Sequence, residues 1–340
     1  MKRRGLLGVA AGVLSVPAIV RAQDVSSAAL QDLARRASIW LFPVYEMYRL
    51  RWRATVDEAN PQRQRLNRFR HVTQLADHRL QAISMPNSDT LYSTAWLDLA
   101  TEPMFLTVPP VGDLYYCYAF LDLFSTNIAY VSHRLHGGAP PTHMIVGPTW
   151  RGDASFEVRL VRAPTHSVWL LGRILVDAPD EVDRARILQG RALLETPDLR
   201  NERRILETGE LMRYRTVAPV EPVADWPAAH PADPLDLFDV GMAALGESPP
   251  SERDRAMLET LAPLRLRPGR RFDRRAFSEA ERAAVLAGIE QGHAEIRNAA
   301  RVGRGRTVAG WRYSERHLGS FGDDDLYRAA TALAGLGALE

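Results

Sequence analysis

PNSDTLYSTAWLDL, Pro86–Leu99, runs four turn-forming residues straight into an alternating strand. Asn, Asp and Ser favour turns because their side chains hydrogen-bond nearby backbone amides, and Pro presets the chain for one. From Thr90 onward the side chains divide between two faces. Leu91, Ser93, Ala95, Leu97 and Leu99 point one way, and Thr90, Tyr92, Thr94, Trp96 and Asp98 the other. The first face is ordinary core. The second mixes aromatic rings with hydroxyls and a carboxylate. Six further stretches of this kind follow: MFLTV, LYYCYAFLDL, NIAYVS, HMIVG, SFEVRLVRA and SVWLLGRILV. Pro, Gly and Asp clusters separate them about every ten to twelve residues, which predicts an antiparallel sandwich or barrel between about Ala82 and Val176.

Helical patterns flank the strands. Leu30, Leu33, Ala37, Trp40, Leu41, Val44, Met47 and Tyr48 recur at helical spacing, predicting one long helix, or two, bent near Pro43. Helical periodicity returns over 178–192. A proline-rich stretch over 216–234 reads as a linker or surface wrap. Helical segments follow over 235–245, 251–262, 278–301 and 323–338. The fold class expected is α+β: an antiparallel β-sandwich core with flanking N-terminal and C-terminal helices. Its parts are an N-terminal helical segment over 23–80, a sandwich over 81–195, and a Pro-rich connection with C-terminal helices over 196–340.

Residues 1–22 are read as a signal peptide, outside the fold. Lys2, Arg3 and Arg4 precede a short apolar run from Gly5 to Val20, and "VRA" ends at Ala22. The run is short and Gly- and Ala-rich for a stable membrane span, although an uncleaved anchor is the alternative. KRRGLLG resembles a twin-arginine signal, which carries folded proteins to the periplasm. Cleavage removes four positive charges and no negative ones, turning a net +2 into −2. That erases the electrostatic footprint of a nucleic-acid binder and leaves no stable membrane anchor. Lys2 is the sole lysine, so the mature chain has none. Schiff-base chemistry, lysine bases and a phosphate-loop Lys are excluded. Cys117 is the sole cysteine, which excludes an intramolecular disulfide and a Cys-based zinc site. Dinucleotide-binding, serine-hydrolase, zinc-protease and EF-hand patterns are missing. The sequence names no cofactor.

The blocks PNSDTLYSTAWLDL, YYCYAFLDLFSTNIAYVSHR, MIVGPTW followed by Gly152, and VWLLGRILV occur in the order found in a bacterial family catalogued as domain of unknown function 1254. The resemblance extends through LRPGRRFD, AGIEQGHAEI and LYRAATALAGLGAL. It implies a β-sandwich with helices around it and leaves the activity open. In many relatives a second domain, of unknown function 1214, follows the GLGA stretch, whereas this sequence stops at Glu340. Leu326, Ala329, Ala330, Leu333, Leu336 and Leu339 form an apolar stripe there. The stripe either folds back on the chain's own helices or docks on a separately encoded partner or a second copy.

The expected function is binding or acting on a small polar molecule, hydroxylated or carboxylated, at the strand ends. The rival is a non-catalytic scaffold or interaction subunit. Asn87 and Asp89 either hold the strand entry or line a site. Tyr92 and Trp96 either stack on a ligand or pack under the N-terminal helix. Asp122, among Tyr116, Tyr118 and Phe120, is either a general acid with a raised pKa or the partner of Arg134 or Arg173. Asn127 lies on the following turn, and Arg134 offers a fork for an anionic group. His71 is the choice for a base, with a surface or capping role as the alternative. His133, His136 and His143 are too loosely spaced to predict a metal site. RLRPGRRFDRR, residues 265–275, reads as a solvated loop.

Overall fold

The N-terminal helix α1 (Ser27–Thr55) runs unbroken for 29 residues with Pro43 inside it. The Ser26 hydroxyl caps it by accepting from the Ala29 amide. In this computed structural model the described residues are 25–77, 87–208, 233–303, 305–313 and 319–334. The signal-like leader and most of the proline-rich stretch lie outside them. Among the described residues no helix is long and apolar enough to cross a membrane.

The strands are β1 (Arg70–His71), β2 (Thr90–Asp98), β3 (Met104–Thr107), β4 (Tyr116–Leu121), β5 (Asn127–Ser132), β6 (His143–Val146), β7 (Arg159–Arg162), β8 (Ser167–Leu175) and β9 (Leu193–Glu195), with a small hairpin of β10 (Arg306–Val308) and β11 (Trp311–Tyr313). They form a five-stranded sheet ordered β1-β2-β8-β4-β5 and a four-stranded sheet ordered β7-β6-β3-β9. All seven expected strands are present. The additional ones have only two or three residues each, too few to show a period of two. Pairing is antiparallel as expected, except that β7 runs parallel to β6.

The larger sheet is covered on both faces. Leu91, Ala95, Leu97, Tyr118, Phe120 and Leu170 pack on Met104, Leu106, Ile145 and Leu194 of the smaller sheet. Tyr92, Trp96, Ala119, Leu121, Trp169 and Leu171 pack on the other side, with Trp40 and Leu41 of α1. The molecule is therefore an α+β sandwich with a third, helical layer over one sheet.

The remaining helices are a single turn α2 (His133–His136), α3 (Val182–Arg191), α4 (Pro197–Thr208), α5 (Asp236–Gly246), α6 (Glu252–Thr260), α7 (Glu279–Val302) and α8 (Asp325–Ala334). Ser251 with Asp254 and Ser278 with Glu281 form capping boxes that start α6 and α7. Gly288 allows α7 to lie directly on α1, since a Cβ there would sit 2.2 Å from the Gln31 carbonyl oxygen. Arg51 near the end of α1 forks onto Glu247 beyond α5, with Nη1 2.6 Å from Oε2, and also reaches Ser167 at the start of β8. That cluster pins the helical layer to the sheet. In the C-terminal stripe, Ala329 and Ala332 of α8 pack on Ile39, Phe42 and Ile296, with Leu326 against the same group. Leu333 is 39 % exposed, and Leu336 and Leu339 lie outside the described residues.

Candidate functional site

Tyr92 and Trp96 lie on the face of the larger sheet that the helices cover, and are 1 % and 2 % exposed. Trp96 stacks on Trp169 across β2 and β8, with centroids 6.0 Å apart and planes at 17°. The Tyr92 hydroxyl accepts from the Asn87 amide at 2.7 Å, so the main chain of the turn satisfies its polar tip. Both rings serve the core and present no surface to a ligand. The Asn87 and Asp89 side chains are exposed. The main chain of Asp89 holds the strand entry, its carbonyl accepting from Val176 at 2.7 Å.

Asp122 lies at the opposite end of the sheet. Asp89 immediately precedes the Thr90–Leu175 pair, whereas Asp122 follows the Leu121–Trp169 pair. Six residues of β8 separate these levels, about 20 Å at strand rise. A single pocket built from Asn87, Asp89 and Asp122 is not formed. Asp122 closes the β4–β5 turn: its Oδ1 accepts from Phe124 at 2.8 Å and Thr126 at 2.9 Å. Burial pushes its carboxyl up to about 6, against the pull of those two amides and of Arg328; Asp254 adds to the rise. The expected ion pair with Arg134 or Arg173 is not seen among the described residues, and the cation acting on Asp122 comes from α8. Arg328 is itself buried, donating to Asp325 Oδ1 at 3.0 Å and the Gly322 carbonyl at 2.8 Å.

His71 lies on the other face from Tyr92. It pairs directly with Ser93, and its Nδ1 is 2.9 Å from the Ser93 hydroxyl. Burial lowers its pKa. The same row continues through Gly172 to Tyr118. A Cβ at Gly172 would meet the Tyr118 ring at 2.5 Å, so the glycine makes room for that ring. The Tyr118 hydroxyl is buried without a hydrogen-bond partner among the described residues, and burial raises its pKa. The glycine inside a strand was the sequence signal for this close approach. His136 and His143 meet edge to face at 5.0 Å, and burial, with the neighbouring His136 charge, pushes His143 down to about 4.

Polar groups do gather at the β5 edge, on the helix-covered side. Arg173 is 1 % exposed, with its guanidinium 5.7 Å from the Tyr92 ring centroid. It pairs across to Cys117, which pairs to Ser132 on β5. Tyr130 stands beside them. Burial pushes its phenol up, while Arg134, Arg173 and a contact to Asn127 pull it down. The Asn127 amide nitrogen and oxygen are both buried and, among the described residues, make no hydrogen bond of good geometry. Its backbone is held by the Gly319 carbonyl at 2.8 Å. Arg134 is exposed on α2. Of the expected residues, Asn127 touches Tyr130, and Arg134, beyond the other end of β5, acts on its phenol by charge. Tyr130 and Arg173 were missed as members because, in a strand, nothing local distinguishes them from packing residues.

Residues 66–196 match the family model described as protein of unknown function (DUF1254). That span covers β1 to β9 and so both sheets. The fold is similar to the crystal structure of the VPA0106 protein from Vibrio parahaemolyticus, with a TM-score of 0.65 and 21 % sequence identity over 90 % of this chain and 67 % of that one. No curated protein matches the sequence.

Proposed function

We propose that this chain binds a small hydroxylated or carboxylated molecule at the β5 edge of the larger sheet, and does so in the periplasm after export. The observation that carries the reading is the buried Asn127 amide. Among the described residues neither its donor nor its acceptor has a well-formed bond; Tyr130 stands beside it, and the Arg134 and Arg173 guanidiniums act on that phenol. A buried unsatisfied amide costs about 1–3 kcal/mol, which a ligand hydroxyl or carboxylate would recover. Arg134 would hold the carboxylate as a fork. His71 lies on the other face of the sheet and Asp122 is bonded within its own turn, so the reading is one of binding. The leader-like sequence of residues 1–22 supports export.

Thermal shift of the mature protein against a panel of hydroxy acids and polyols tests this. A ligand at a hundredfold excess over its Kd adds about 2.7 kcal/mol of stability. The shift should disappear in Asn127→Ala and Arg134→Ala. A panel without a single shift, or a shift that survives both substitutions, would overturn the proposal.

A further inference from the structure

At the opposite edge of the larger sheet, the segment leading into β1 is QRQRLNRFR, residues 62–70. Arg63, Arg65, Arg68 and Arg70 line one concavity of about 350 Å³ with Phe69 in its wall and, among the described residues, no acidic side chain. Asn67 anchors the segment to β2. Its amide donates to the Trp96 carbonyl at 2.8 Å, and its Oδ1 accepts from the Asp98 amide at 2.8 Å. The backbone at Asn67 is left-handed, φ 59°, a conformation Asn tolerates better than most residues.

None of the four guanidiniums enters an ion pair among the described residues. Arg35, Arg51, Arg203 and Arg274 all do. Arg63 donates to the Val56 carbonyl at 3.2 Å, Arg68 to the Asn67 carbonyl at 3.2 Å, and Arg70 to Gln62 Oε1. Neutral acceptors therefore orient the forks without cancelling their charge. Arg70 is half-buried, and burial lowers its pKa with no carboxylate opposing the shift. Like charges held together in a chain that is mildly acidic once the leader is removed are unfavourable unless an anion sits among them. Guanidinium forks match tetrahedral oxyanions in bidentate geometry, and the concavity has the size of a small-molecule site.

We propose that this arginine-lined groove binds the phosphate groups of a phosphorylated small molecule. Calorimetry on the mature protein at low salt, with pyrophosphate, inorganic phosphate and citrate as probes, tests it. One pyrophosphate should bind per chain, more tightly than inorganic phosphate, and weaken steeply with added salt. Arg65→Glu with Arg68→Glu should weaken binding at least about tenfold, and Arg65→Gln with Arg68→Gln by less. Both variants should keep the parent melting midpoint, because these side chains are exposed. Asn127→Ala should bind pyrophosphate unchanged, which separates this site from the β5 edge. No saturable heat, binding unmoved by the Arg substitutions, loss of binding in Asn127→Ala, or citrate binding as tightly as pyrophosphate would each overturn the assignment.

Discussion

Replacing Asp122 with Asn should stabilise the protein at pH 8 and leave it nearly unchanged at pH 4. The side chain is 6 % exposed, and burial lifts its carboxyl from 3.8 to about 6. Between those values the unfolded chain has released this proton and the folded one has kept it. The folded state then binds more protons, so stability falls as pH rises. The contribution is fully present below about pH 4 and lost as pH passes about 6. The difference of about two pH units corresponds to about 3 kcal/mol. Asparagine resembles the protonated acid. Both turn amides, from Phe124 and Thr126, bond the same oxygen, so an Asn Oδ1 can keep them. Arg328 retains Asp325 and the Gly322 carbonyl. Denaturant unfolding followed by circular dichroism, at steps from pH 4 to pH 8, gives the difference curve between variant and parent. It should climb from near zero towards about 3 kcal/mol, with its midpoint between the two pKa values. A flat curve, or a variant less stable than the parent at pH 8, would refute the reasoning: it would mean that Asp122 is held as a charge that the fold needs.

Three further outcomes are expected. Gly172→Ala should cost about 1–3 kcal/mol in denaturant melts, because the added Cβ meets the Tyr118 ring at 2.5 Å inside a closed sandwich. Glu247→Ala should cost about 3 kcal/mol by leaving the Arg51 guanidinium partly buried without its carboxylate, whereas joining it with Arg51→Met should recover most of that loss. Asp89→Ala should change stability by no more than about 0.5 kcal/mol, since its carboxylate is exposed and the Val176 amide bonds the main-chain carbonyl instead; a larger loss by thermal melting would restore a structural role to the side chain.

Much of the architecture follows from local periodicity. The alternation from Thr90 to Leu99 marks β2, and the spacing from Leu30 to Tyr48 marks α1, because side-chain direction repeats every two residues in a strand and every 3.6 in a helix. The class of fold was legible for the same reason, and the sole lysine, Lys2, in the leader-like stretch argued against several lysine chemistries. What lies against each face was not legible. Tyr92 and Trp96 read equally well as a ligand wall or as core, and only the helices laid over them decided for core. The cation acting on Asp122 is Arg328 of α8, not the expected Arg134 or Arg173. The guanidiniums of residues 63–70 form one groove only because Asn67 pins their loop to β2. Periodicity states which residues share a face. The occupant of that face is set by packing between segments far apart in the chain, where burial and pairing depend on the whole fold.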